Sequence, residues 1–216
     1  MIAGVLCQKK VTAIPYIPYI PASTKILMPF TTASGFTDIA NNHAITVIGS
    51  PTISTAQSKF GAGSLRVSSG NYLRINSTST LDMSGKKPFT FECWVYITAG
   101  EGGILSMRTT AVYCPIAFIR RHVRVGNSSL TNSLRAGITV PRDQWVHCAI
   151  VGDGTNIKQY QNGVMSGTAA VHQSWPTGNR FLNIGYDPDA VTAAYINDVR
   201  VSDGVAYSGN FTPPSS

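Results

Sequence analysis

Phe89-Thr90-Phe91-Glu92-Cys93-Trp94-Val95-Tyr96 is the stretch whose reading decides the fold. On an extended backbone Phe89, Phe91, Cys93 and Val95 fall on one side and Thr90, Glu92, Trp94 and Tyr96 on the other, the period of two expected of a strand. The first face is apolar throughout and has to be sealed. The second sets two aromatic rings beside a hydroxyl and a carboxylate, so it covers something without lying in a dry core. A strand of this kind belongs in the middle of a sheet packed against a second sheet.

The rest of the chain supplies that second sheet. Short apolar or alternating runs recur at Lys25–Phe30, Ala44–Ile48, Ser64–Ser68, Tyr72–Ile75, Gly103–Met107, Tyr113–Val125, Trp145–Val151, Phe181–Tyr186 and Ala194–Val201. Ile157–Gln161 and Val164–Thr168 flank Asn162-Gly163, a strong hairpin signal because both turn residues tolerate positive φ. Turn residues separate the runs, and no stretch keeps a helical period. The expected fold is all-β, an antiparallel jelly-roll sandwich.

At 216 residues the chain is long enough to bury a sizeable core without covalent staples. Only 12% of residues are charged, against a usual share of about 25%, so the surface draws its polarity from Ser, Thr, Asn and Gly. That balance is common in virion and extracellular β proteins. The formal charge of +7 favours acidic partners in general. Its densest source, Arg120, Arg121, His122 and Arg124, reads as part of one strand, with Arg120, His122 and Arg124 sharing a solvated face. No aromatic interleaving or reader motif accompanies it, and nucleic acid is not an expected partner.

Cys7, Cys93, Cys114 and Cys148 show no metal-ligand spacing. Cys93 and Cys148 fall inside apolar strands, where a reduced thiol acts as a small hydrophobe. No run approaches the ~20 apolar residues needed to span a bilayer, and the N-terminal residues lack the basic region of a signal peptide, so synthesis in a cytosol without membrane insertion is expected.

Residues 1–24 differ from everything after them. Proline at every third position of Ile14-Pro15-Tyr16-Ile17-Pro18-Tyr19-Ile20-Pro21 forces an extended, polyproline-like arm that cannot sit inside a sheet. Tyr16, Ile17, Tyr19 and Ile20 give the arm an apolar contact surface, suited either to strapping its own domain or to attaching to a partner. The domain itself is expected over residues 25–216.

Chemistry-bearing motifs are sparse. Glu92 and Glu101 are the only glutamates, no Gly-x-Ser-x-Gly elbow occurs, and His43, His122, His147 and His172 have no motif context. His147, between Val146 and Cys148, is expected to be a packed sheet residue. Gly61-Ala62-Gly63 precedes no helix and is no phosphate loop. Around one long loop, Trp175, Asn179, Tyr186, Asp187 and Asp189 bring aromatic surface together with amide and carboxylate groups.

Several phrases taken in order resemble the concanavalin A-like lectin/glucanase superfamily in its laminin G-like form. They are Ser54–Gly61 with Ser64-Leu65, Asn71-Tyr72-Leu73, Phe89–Tyr96, Trp145-Val146-His147, Tyr160–Gly163, Asn183-Ile184-Gly185, Tyr195–Ser202 and Phe211–Pro214. The match runs from about residue 25 to 214. Ser54-Thr55-Ala56-Gln57-Ser58-Lys59-Phe60-Gly61 is similar to the version carried by tailed phages.

The resemblance implies a jelly roll of two sheets on a virus particle. Hydrolases of the superfamily carry a Glu-x-Asp-x-x-Glu strand, and the spacing of Glu92 and Glu101 does not reproduce it, so no catalytic residue and no required cofactor is expected. Relatives sometimes hold a structural calcium ion near the position of Asn197-Asp198, which would make Asp198 and Asp38 candidate ligands. The functional expectation is a non-enzymatic phage virion structural protein, a capsid decoration or minor head protein whose arm docks on the major capsid protein. The alternative is a glycan-binding receptor adhesin at a tail fibre or spike tip, since carbohydrate binding is another habit of the superfamily that this chain resembles; Trp175, Asn179, Tyr186, Asp187 and Asp189 would then be the sugar-binding candidates. Either would reside in the virion after synthesis in the host cytoplasm, as a monomer or a homo-oligomer.

Overall fold

The computed structural model describes residues 23–108, 114–120, 122–126, 133–134, 139–171, 178–188 and 192–215. Tyr16, Ile17, Tyr19, Ile20, Trp175 and Asp189 lie outside the described residues.

Two antiparallel sheets face one another. The first runs, in spatial order, β13 (Val164–Val171), β12 (Asn156–Gln161), β11 (Trp145–Gly152), β6 (Phe89–Gly100), β15 (Thr192–Asp203), β4 (Ser64–Val67) and β3 (Thr52–Ser54), and β1 (Thr24–Met28) pairs with the far half of β15. The second runs β10 (Ser133–Leu134), β9 (His122–Gly126), β8 (Cys114–Ile119), β7 (Gly103–Ser106), β14 (Arg180–Ile184), β5 (Tyr72–Thr78) and β2 (Ile45–Ile48). One 3₁₀ turn, Ser79–Leu81, is the sole helix among the described residues, and Thr78 caps it by accepting from the Thr80 N–H. The expected jelly-roll sandwich is the fold found.

β6 lies at the centre of the first sheet, between β11 and β15. Phe89, Phe91, Cys93 and Val95 all enter the core, together with Ile97 further along the strand. Opposite them the second sheet contributes Leu73, Ile75, Ile104, Leu105, Ile116, Phe118, Leu182 and Ile184, all buried in the same cluster. Each fully buried aliphatic or aromatic side chain of this kind contributes about 1.5–3 kcal/mol over an exposed one. Cys93 and Cys148 are Cα partners on adjacent strands, both buried and reduced. Burial drives both thiols upward from the ordinary cysteine range.

Two local features differ from the sequence reading. The run containing Arg120 is a hairpin and not one strand: β8 ends at Ile119, β9 begins at His122, and these two residues are paired. The reversal lacks Gly, Asn or Asp, which hid it. Long-range partners hold it instead, with the Arg120 guanidinium 2.7 Å from Glu101 and the Arg120 carbonyl accepting from the Val140 N–H.

β15 also carries a bulge. Asn197 pairs with Trp94 and Arg200 with Glu92, so three steps on β15 match two on β6. Asp198 absorbs the extra residue at φ 51°. The bulge is what allows Asn197 and Arg200 to share one face of the sheet.

At the Asn162-Gly163 hairpin both residues have positive φ, 48° and 77°. A Cβ on Gly163 would lie 1.8 Å from the Phe211 carbonyl oxygen. The glycine therefore serves the turn and the close passage of the C-terminal segment, whose Phe211 N–H donates to the Gly163 carbonyl at 2.9 Å.

Candidate functional site on the outer sheet face

The face of the first sheet that points away from the core is organised in cross-strand rows. One row aligns Arg200, Glu92, Ala149 and Tyr160, and the next aligns Asn197, Trp94 and His147. Both are closed over. The Tyr207 hydroxyl donates to Glu92 Oε2 at 2.6 Å, and His147 Nε2 lies 3.1 Å from the same oxygen. Arg200 Nε approaches the other carboxylate oxygen at 3.8 Å. Phe211 stacks on Tyr207 and meets the rings of His147 and Tyr160 edge-on. From the other side Phe60 packs edge-on against Trp94 and the Lys59 ammonium sits 3.9 Å over that indole. Asn197 fastens this loop by accepting from the Lys59 and Phe60 N–H groups.

Burial alone would push the Glu92 carboxyl up. The His147 hydrogen bond and charge, the Tyr207 hydrogen bond and the Arg200 guanidinium outweigh it, and the group is held below the ordinary glutamate range. Burial first, then the Glu92 charge, push the Tyr207 hydroxyl well above the usual phenol range. Glu92 is therefore an ionised support only 4% exposed, covered by the Tyr207 hydroxyl. His147 is the packed, hydrogen-bonded sheet residue its context implied.

The third row remains open. Tyr195, Tyr96 and Trp145 are Cα partners across β15, β6 and β11, and all three side chains are half-buried. Tyr96 lies 5.8 Å from Trp145 and 6.2 Å from Tyr195, with neighbouring rings inclined at 64° and 79°. The rings form stepped facets and not one flat plate. The row continues through exposed Arg66, the partner of Tyr195, to exposed Thr52. Aromatic faces beside a guanidinium and a hydroxyl offer stacking surface for the apolar side of a sugar ring and donors for its hydroxyls.

The loop residues expected to bind sugar are placed differently from one another. Asn179 is exposed, whereas Tyr186 is half-buried and stacks on Tyr72 at 4.3 Å. Asp187 is buried, 2.7 Å from Arg108 Nη1 and accepting from the Ser106 hydroxyl at 3.0 Å. Its carboxylate is committed to an interior ion pair.

Asp38 and Asp198 flank the Leu27–Pro29 backbone, since the Asp38 carboxylate accepts from the Leu27 N–H at 2.8 Å and the Asp198 N–H reaches the Pro29 carbonyl. Asp38 also accepts from the Ala40, Asn41 and His43 N–H groups and from the His43 ring. This donor set makes it a loop clamp, which does not fit a calcium ligand. No group of three or more acidic, His or Cys side chains suited to a metal occurs among the described residues.

The order and pairing of these strands define the class of two-sheet antiparallel sandwiches. The family model described as the concanavalin A-like lectin/glucanases superfamily, laminin G type, matches residues 67–208, and the chain belongs to that family. Among solved structures it is similar to domain 4 of AbnA, a GH43 extracellular arabinanase from Geobacillus stearothermophilus determined in complex with arabinotriose. The identity is 17% and the TM-score 0.66, over 85% of this chain and 93% of that one. The binding domain of Paraclostridial Mosquitocidal Protein 1 matches at 11% identity and TM-score 0.61, over 86% of this chain and 50% of that one. The binding domain of botulinum neurotoxin DC, in complex with rat synaptotagmin II, matches at 12% and 0.60, over 86% and 49%. The chain thus spans about half the length of the two toxin domains. No curated protein sequence matches it.

Proposed function

We propose that this chain is a non-catalytic glycan-binding domain displayed by a tailed-phage virion structural protein, most simply a capsid decoration or minor head protein. The observation that carries glycan binding is the open Trp145–Tyr96–Tyr195 row beside Arg66. The fold is also that of a domain solved with an oligosaccharide and of two toxin binding domains. The non-catalytic reading draws on the sealed position of Glu92.

The phage reading draws on the Ser54–Gly61 phrase, whose Lys59 and Phe60 lock onto Trp94, and on the proline-rich arm, which would dock on the major capsid protein. Host-surface glycan would be the displayed partner. Gold-labelled antibody against the domain, imaged on purified particles, tests this placement. Label distributed over the head is the expected result. Label confined to a tail tip favours the adhesin reading, and unlabelled particles contradict both.

A further inference from the structure

At the end of the sandwich away from the aromatic row, a cleft of about 520 Å³ opens between the start of β1, the end of β15 and residues 79–88. Its volume is in the range of small-molecule sites. Lys25, Ser79, Thr80, Asp82, Lys87 and Asp203 line it.

Behind the wall a hydrogen-bond chain runs from Asp38 through His43 to Thr80. Asp38 Oδ2 lies 2.7 Å from His43 Nδ1, and His43 Nε2 lies 2.9 Å from Thr80 Oγ1. A carboxylate only accepts, so Nδ1 carries the imidazole proton. His43 Nε2 and the Thr80 hydroxyl then share one hydrogen bond, whichever of the two donates. In either case the Thr80 oxygen keeps at least one lone pair as an acceptor for whatever enters the cleft. Burial pushes the Asp38 carboxyl up, but the Leu27 N–H, the His43 ring and the His43 and Ala40 N–H groups outweigh it and hold the group below the ordinary aspartate range.

The charges of the cleft cancel. The Lys25 and Lys87 ammoniums face the Asp82 and Asp203 carboxylates, and Lys25 lies 3.3 Å from Asp203 as a largely solvent-screened pair. Such a pair contributes little and gives way readily to a ligand that satisfies both members. An anion would gain two ammoniums and meet two carboxylates. A neutral molecule crowded with hydroxyls meets no such conflict, because each hydroxyl can accept from a lysine while donating to an aspartate or to Thr80.

We propose that this cleft is a second carbohydrate subsite, taking a neutral pyranose by its vicinal hydroxyls, with Lys25, Lys87 and Asp203 as bridging groups and Thr80 as an oriented acceptor. It rests on the reading of the chain as a glycan-binding domain, but shares no residue with the aromatic row.

The test is a ¹H–¹⁵N shift titration of the full chain with free glucose, galactose, mannose and N-acetylglucosamine. At least one sugar should move the Lys25, Thr80, Lys87 and Gly204 amides. Thr80→Val, which keeps the side-chain shape, should weaken that response by about 2- to 10-fold, the effect of one hydrogen bond. Lys87→Ala, at an exposed position, should weaken it without touching the fold. Trp145→Ala should leave it unchanged. Shifts confined to the Tyr195, Tyr96 and Trp145 region overturn the second subsite and leave the aromatic row standing. Shifts nowhere overturn the second subsite, whereas the aromatic row stands or falls on its own glycan test, and cleft shifts unaffected by Thr80→Val and Lys87→Ala overturn the assignment of these residues.

Discussion

Tyr207 reaches back across the outer sheet face to donate its hydroxyl to Glu92 at 2.6 Å, joining the C-terminal segment to the central strand 115 residues earlier. This bond, with the Phe211 stack above it, turns a carboxylate that sequence places on an open face into an interior charge. A hydrogen bond to a charged, buried group contributes about 1.5–3 kcal/mol. Tyr207→Phe retains the ring and its stacking, so it should cost about that much in urea unfolding with an unchanged m-value.

The pH dependence follows from the same carboxylate. Glu92 and Asp38 are both held below their ordinary ranges, so their contribution is complete above the unfolded carboxylate values of about 4 and is lost as pH falls through the lower, folded ones. Unfolding free energy should be level from neutral pH to about pH 5 and drop steeply below about pH 4. Glu92→Gln should be less stable at pH 7 and show a shallower acid slope.

Gly163 supports the C-terminal segment from beneath. Alanine there would have to adopt positive φ and would collide with the Phe211 carbonyl. Gly163→Ala should cost about 1–3 kcal/mol and raise hydrogen exchange at the Phe211 amide, which measures release of the segment directly.

Cys93 and Cys148 face one another across β6 and β11 in the dry core. Burial keeps both thiols protonated, and the thiolate is the reactive form. Neither should react with an aromatic disulfide reagent in the native protein, and both should react on unfolding, as mass spectrometry of the labelled peptides would record.

How far the sequence reached depended on whether a signal was local. Phe89–Tyr96 announces its two faces by alternation, and Asn162-Gly163 announces its turn by chemistry, so the sandwich and its central strand were legible. The Arg120 hairpin was not, because its support comes from Glu101 and Val140 across other strands. The aromatic row was missed for the same reason. Trp145 and Tyr195 are 50 residues apart in sequence, and only the registers of β11 and β15 against β6 bring both beside Tyr96. The half-polar second face of Phe89–Tyr96 carried the available signal, since an exposed-side Tyr next to Trp94 needed an explanation. Asp187 misled because a carboxylate in a loop reads the same whether it faces sugar or an interior arginine.

The aromatic row is the central claim, and glycan-array binding of the parent chain alongside Trp145→Ala and Tyr195→Ala, each first shown folded by circular dichroism, tests it most directly. The parent should bind a restricted set of glycans, and either substitution should weaken the best of them by about tenfold or more, the loss expected when an aromatic anchor is removed. A parent that binds no glycan, or that binds one equally well without Trp145 and Tyr195, would contradict the account.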